Sequence, residues 1–122
     1  MEAREKSILQ CLRHYTPGLA AGHPLRSKQS LFALLVALLI QRAYELGYEI
    51  TFGDAWAHDG HKDHSLHYIR LAIDLNLFKD GKYLDHSDYH QELGEYWESL
   101  GGSWGGRFGD GNHYSLEHNG QK

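Results

Sequence analysis

His67, Asp74 and the run Asp110-Gly-Asn-His113 are residue types that hold a transition-metal ion. Zn²⁺ takes neutral imidazole and carboxylate ligands, and their spacing fits one shared site. Leu71, Ile73, Leu75 and Leu77 alternate with Ala72, Asp74 and Asn76, the period of a strand buried on one face, so the Asp74 carboxylate points away from the core. His67 lies where a loop enters that strand, so both can converge on one ion with His113 as the third ligand. Three protein ligands leave a fourth position open, which separates a catalytic zinc site from a closed structural one. A His, Asp, His set carries one formal negative charge, so a zinc site stays net positive and acidifies water bound there. Asp110 sits in a glycine-rich turn that can aim its carboxylate at the open position. There it would be the general base that takes a proton from the attacking water and passes it to the leaving group. Asp-Gly is also a common turn pair, so a plain turn role stays open for Asp110.

Ser65, His67, Ala72 and Asp74 fit the pattern Ser-x-His-x-x-Gly-x-Ala-x-Asp, and Asp110 to His113 fits Asp/Glu-x-x-His. On these residues the chain resembles the zinc peptidases that cut peptidoglycan stem peptides: D-alanyl-D-alanine carboxypeptidases, vancomycin-resistance dipeptidases and phage L-alanyl-D-glutamate endolysins. The resemblance runs from about residue 28 to 118 and is nearest to the small phage-type members, through Trp104 to Tyr114. It implies an α+β fold, a small mostly antiparallel sheet packed on helices, like hedgehog and D-Ala-D-Ala peptidases. It also implies a Zn²⁺ cofactor, ligands His67, Asp74 and His113, and Asp110 as catalytic base. The substrate would be the peptidoglycan stem peptide, with Ser65, Arg70, Arg107 and His64 as candidate contacts. Two departures bear on substrate recognition. Trp56-Ala57 stands where relatives carry an Arg-Ser/Thr pair that helps to bind a substrate carboxylate, and Arg70 replaces the pattern's glycine. Arg70 could grip that carboxylate in two-pronged fashion or serve as a structural salt bridge, and Arg107 has the same two roles open. The leading expectation is an L-alanyl-D-glutamate endopeptidase working as a phage or prophage endolysin. A D-alanyl-D-alanine carboxypeptidase is the second, and a non-catalytic zinc module, as among hedgehog-type relatives, is the third.

The chain has ten histidines, more than such a site needs. His58, His61, His64 and His67 recur every third residue, but Asp59-Gly60 argues against a helix there. His64, with Ser65, is placed to orient His67 or meet substrate, while His58 and His61 are expected on the surface. His86 and His90 are four residues apart on an expected helix, yet lack an acidic third partner for a metal.

The main helix is expected from Ser27, as N-cap, to Leu46, with Gly47 ending it. Its Leu31 to Ile40 portion is apolar all round but too short to span a bilayer, so burial in the core is the reading. Tyr48 to Asp54 should pair with Leu71 to Leu77 at the centre of the sheet, with Ala55 to His64 a loop between them. Gly81 should turn a hairpin between Phe78 and Tyr83. A second helix should run from a cap at Asp85 or Ser87 to about Leu100. Tyr89, Leu93, Trp97 and Leu100 should face inward and Glu92, Glu95 and Glu98 outward. Glycines 105, 106, 109 and 111 allow close approach around a site, and Asn112 to Glu117 should add a last strand.

At 122 residues the chain is expected to be one domain, residues 27–122, preceded by a peripheral arm over residues 1–26 with a short helix within residues 1–15. A net charge of −4 with scattered Lys and Arg disfavours nucleic acid. Cys11 is alone, which excludes an internal disulfide. With no apparent leader, membrane span or wall-binding module, the expectation is a monomer without membrane insertion. It would be held in the cytoplasm until released and would then act in the periplasm on the cell wall.

Overall fold

The computed structural model describes residues 24–122, together with Ala3 and Lys6, which are helical. The rest of the expected arm, its short helix and Cys11 lie outside the described residues. Helix α1 spans Pro24–Glu45, so it begins before the expected Ser27. Proline suits a first helical position, where its missing N–H costs nothing, and Ser27 falls inside the helix instead of capping it. At the other end Gly47 takes the left-handed conformation at φ 91°. Gly47 N–H bonds Tyr44 O and Tyr48 N–H bonds Ala43 O, the paired closure that a glycine permits after a last turn. The apolar run within α1 is core: Phe32, Leu35, Val36, Leu38 and Leu39 are buried, and the exposed stripe is supplied by the small Ala33 and Ala37. No helix among the described residues is long and apolar enough to cross a membrane.

The α+β architecture is as the pattern predicts. The strands are β1 Glu49–Phe52, β2 Ala72–Lys79, β3 Lys82–Tyr83, β4 Ser103–Trp104 and β5 His113–Ser115, and every pairing is antiparallel. The order is β1-β2-β5-β4, with β3 also on β2. β1 pairs β2 as expected, but it is an edge strand, and the centre is β2 with β5. Asp80 and Gly81, both at positive φ (51° and 78°), make the two-residue turn between β2 and β3. Leu71, Ile73, Leu75 and Leu77 go into the core and leave Asp74 partly exposed on the opposite face.

The second helix differs in phase from the expected one. It opens as a 3-10 turn at Ser87–His90, where the His86 ring accepts from Asp88 N–H, and becomes helix α2 at Gln91–Ser99. Three residues per turn in place of 3.6 rotates that first turn, so Tyr89 is exposed and His90 points inward, 3 % exposed. Leu93 and Trp97 face inward as expected. Trp97 packs edge-on to Phe32 of α1 and to Tyr114 of β5, and its indole N–H reaches Ser115 O at 2.9 Å. His86 and His90 therefore share no ligand geometry.

The Tyr114 hydroxyl and His90 Nδ1 lie 2.7 Å apart. Burial holds Tyr114 protonated far above its usual range and pulls His90 down to about 4 from 6.5, so the hydroxyl donates to a neutral imidazole. The unfolded chain takes up that proton first. The stabilisation is complete above pH 6.5 and declines as pH falls toward 4. Denaturant unfolding of the zinc-free protein should show His90 accounting for a loss on the order of 2–3 kcal/mol across that window. His90→Gln, which keeps an acceptor for Tyr114, should remove that part of the slope; an unchanged slope contradicts the assignment.

Candidate metal centre

Asp74 of β2 and His113 of β5 are direct cross-strand partners. Leu75 N–H bonds Asn112 O on one side of them, and the Asp74 backbone turns the other way: its N–H bonds Asp54 O and its C=O accepts from Gly53 N–H. The pair is thus of the kind without mutual ladder bonds, where facing side chains come closest. His67 arrives from a 3-10 turn, Leu66–Ile69, just before β2. Ser65 starts that turn, its Oγ accepting from His67 N–H at 3.2 Å, and Arg70 ends it in the left-handed region at φ 58°.

These three elements bring the imidazoles of His67 and His113 onto one carboxylate oxygen. His67 Nε2 lies 3.3 Å and His113 Nδ1 3.5 Å from Asp74 Oδ1, and one ligand atom from each residue falls within 4.8 Å of the others. Four-coordinate zinc with bonds of about 2.0–2.2 Å needs ligand atoms about 3.3–3.6 Å apart. The two imidazole–carboxylate separations fit. Asp74 Oδ1 is also buried with no hydrogen-bond partner among the described residues, an orphan that a cation among these three atoms would satisfy. Burial raises the Asp74 pKa, but His113 and then His67 outweigh it and hold the carboxyl well below the usual range. Asp74 is therefore an anion, and residues 67, 74 and 113 form a zinc-compatible donor set.

Asp110 stands at the rim, half exposed, with Oδ2 4.0 Å from His113 Nδ1. Three of the four glycines on either side of it, Gly105, Gly106 and Gly111, work by close packing. A Cβ on Gly105 would overlap Asp110 O and press on His113 Cβ, one on Gly106 would overlap the Trp104 indole, and one on Gly111 would meet the Ser87 backbone. Of the four, Gly109 alone has a positive φ, 83°. The Trp104 indole N–H bonds Gly111 O at 2.7 Å, and Gly94 of α2 leaves room for its ring. One buried tryptophan thus fixes the loop that carries Asp110 into β5.

The remaining expected contacts do not join the cluster. Arg107 makes a two-pronged pair with Glu98 at 2.9 and 2.6 Å. The Arg70 guanidinium lies 3.9 Å from the Trp56 ring centre, beside an apolar groove shared with Phe52, Phe32 and Val36. His64, exposed at φ 62°, faces a separate cavity of about 640 Å³ with Ser65, Tyr68 and His118. His61 overturns its expected surface role. Its ring stacks on His67 at 4.2 Å and 15°, and its Nε2 meets Asp54 Oδ2 at 2.8 Å. The loop has no period that marks this pair, which forms because residues 55–64 fold back onto the Leu66–Ile69 turn, with Ala57 N–H on His67 O and His61 on Tyr68. His58 packs on exposed Trp56.

Residues 58–116, which hold all four expected metal and base residues, match the model of a family described as D-alanyl-D-alanine carboxypeptidase. The match supports a zinc peptidase. The His67, Asp74 and His113 cluster lies inside the matched segment and is the place in this fold where a peptidase's metal would fit. No curated protein matches the chain.

Because Gly105 is packed against both Asp110 and His113, Gly105→Ala should destabilise the fold by about 1–3 kcal/mol through overpacking. It should also weaken zinc binding in a chelator competition. Wild-type zinc affinity in that variant would show that the glycine does not set the position of His113.

Proposed function

We propose that the chain is a zinc-dependent peptidase that hydrolyses peptidoglycan stem peptides as an L-alanyl-D-glutamate endopeptidase, with the biology of a phage or prophage endolysin. The observation that carries the metallopeptidase reading is the convergence of His67 and His113 on one orphaned carboxylate oxygen of Asp74, with a second carboxylate, Asp110, at the rim. Bound Zn²⁺ would supply an acidified water and polarise the scissile carbonyl. Asp74 supplies the negative charge that holds the cation, and the two imidazoles complete the grip. Asp110 accepts the proton of the attacking water at its carboxylate and returns it to the departing amine.

Cleavage within the stem is favoured because, among the described residues, the two arginines expected to meet substrate stand away from the metal cluster, on Trp56 and on Glu98. A carboxypeptidase must hold a free terminal carboxylate beside the bond it cuts. Trp56 and Ala57 occupy the loop next to His67, with Ala57 N–H on His67 O, and Arg107 is committed to Glu98. Carboxypeptidase action is the second reading, supported by the family description and by Arg70, whose guanidinium stacks on Trp56 and makes no ion pair among the described residues. On the endolysin reading the protein waits in the cytoplasm and reaches the wall once another agent opens the membrane.

Digestion of purified muropeptides decides between the bonds: release of products cut between L-alanine and D-glutamate supports the proposal, and release of D-alanine alone overturns it in favour of the carboxypeptidase. Asp110→Asn should keep stoichiometric zinc while turnover falls by a factor on the order of 10² to 10⁴. Unchanged cleavage would remove Asp110 from the chemistry, and loss of zinc would make it a ligand.

A further inference from the structure

Metal-binding imidazoles are ordinarily oriented by a hydrogen bond from their far ring nitrogen to a carboxylate, carbonyl or water. His67 has no such partner among the described residues. Its Nε2 faces Asp74, and its Nδ1 is buried without a hydrogen bond. What touches the ring instead is His61, nearly parallel at 15° with centroids 4.2 Å apart. His61 is itself held at three points. Its Nε2 is 2.8 Å from Asp54 Oδ2, its N–H donates to Tyr68 Oη at 2.8 Å, and its C=O accepts from the same hydroxyl at 2.7 Å. Asp54 closes the circuit, because its backbone carbonyl accepts the N–H of Asp74 at 2.9 Å. One residue thus braces two of the three ligands, Asp74 through its main chain and His67 through the ring of His61.

We infer that His61, anchored by Asp54, is the positioning residue of His67: its stacked ring fixes the plane of the ligand imidazole and supplies the constraint that a hydrogen bond to Nδ1 would otherwise give. The role rests on the reading of His67, Asp74 and His113 as a metal site. His61 works through the face of its ring, so a flat apolar ring should substitute for it, whereas a ligand nitrogen could not be replaced that way. Asp54 works by keeping that ring in register, so its loss should be felt less than the loss of the ring.

The test is zinc affinity by competition with a chromophoric chelator, in the whole chain, with His67→Ala as a control and thermal unfolding of the zinc-free proteins beside it. His61→Ala should bind zinc about 10- to 100-fold more weakly, the range for losing a residue that orients a ligand. His61→Phe should recover most of that affinity, and Asp54→Asn should fall between. The Co²⁺-substituted His61→Phe protein should keep the wild-type visible spectrum, since the donor atoms are unchanged. Wild-type affinity in His61→Ala would overturn the positioning role alone. Equal losses in His61→Ala and His61→Phe with an altered Co²⁺ spectrum would overturn it too, by making a His61 nitrogen a ligand. A wild-type chain that binds no more zinc than His67→Ala would overturn the metal-site reading and the positioning role together.

Discussion

The antiparallel register of β2 against β5 is the constraint on which the site depends. It sets Asp74 opposite His113 at a position where neither backbone bonds the other. A shift of β5 by one residue would turn His113 to the face opposite Asp74. The register is held from the core side, where Leu71, Ile73, Leu75 and Tyr114 are almost wholly buried. The same alternation that packs those residues against the helices turns Asp74 and His113 outward. Core packing and ligand placement are one pattern read on its two faces.

That placement is unfavourable without a cation. An anionic carboxylate lies among two imidazoles whose far nitrogens, His67 Nδ1 and His113 Nε2, have no hydrogen-bond partner among the described residues. Buried polar groups left unpaired cost about 1–3 kcal/mol each. The surrounding structure tolerates them because it is stiff. Trp104 is locked between Gly94 and Gly106 and bonded to Gly111 O, while Phe108 packs 5.8 Å from His113. A bound divalent ion would satisfy Asp74 Oδ1 and couple metal affinity to the stability of the fold.

Much of this was legible in the sequence for a physical reason. Strand alternation fixes which side a residue faces, so the outward Asp74 and the buried leucines followed from spacing. The glycine cluster before His113 likewise signalled close packing. Features set by local deviations from regular geometry were not legible. A 3-10 turn ahead of α2 exchanged Tyr89 for His90 at the core, and Pro24 began α1 before Ser27. β1 proved to be an edge strand because the long-range pairing of β5 with β2 carries no local signal. The stacking of His61 on His67 depends on a loop closure by Tyr68 and Asp54 that no periodicity encodes.

The central claim is that one zinc ion is held by two imidazoles and a carboxylate with a position left open. X-ray absorption at the zinc edge of the metal-loaded protein tests it most directly. The account predicts one equivalent of zinc, four-coordinate, with two imidazole nitrogens and oxygen donors at about 2.0–2.2 Å. A shell of four protein nitrogens, a shell containing sulfur, or zinc lost on simple desalting would contradict it.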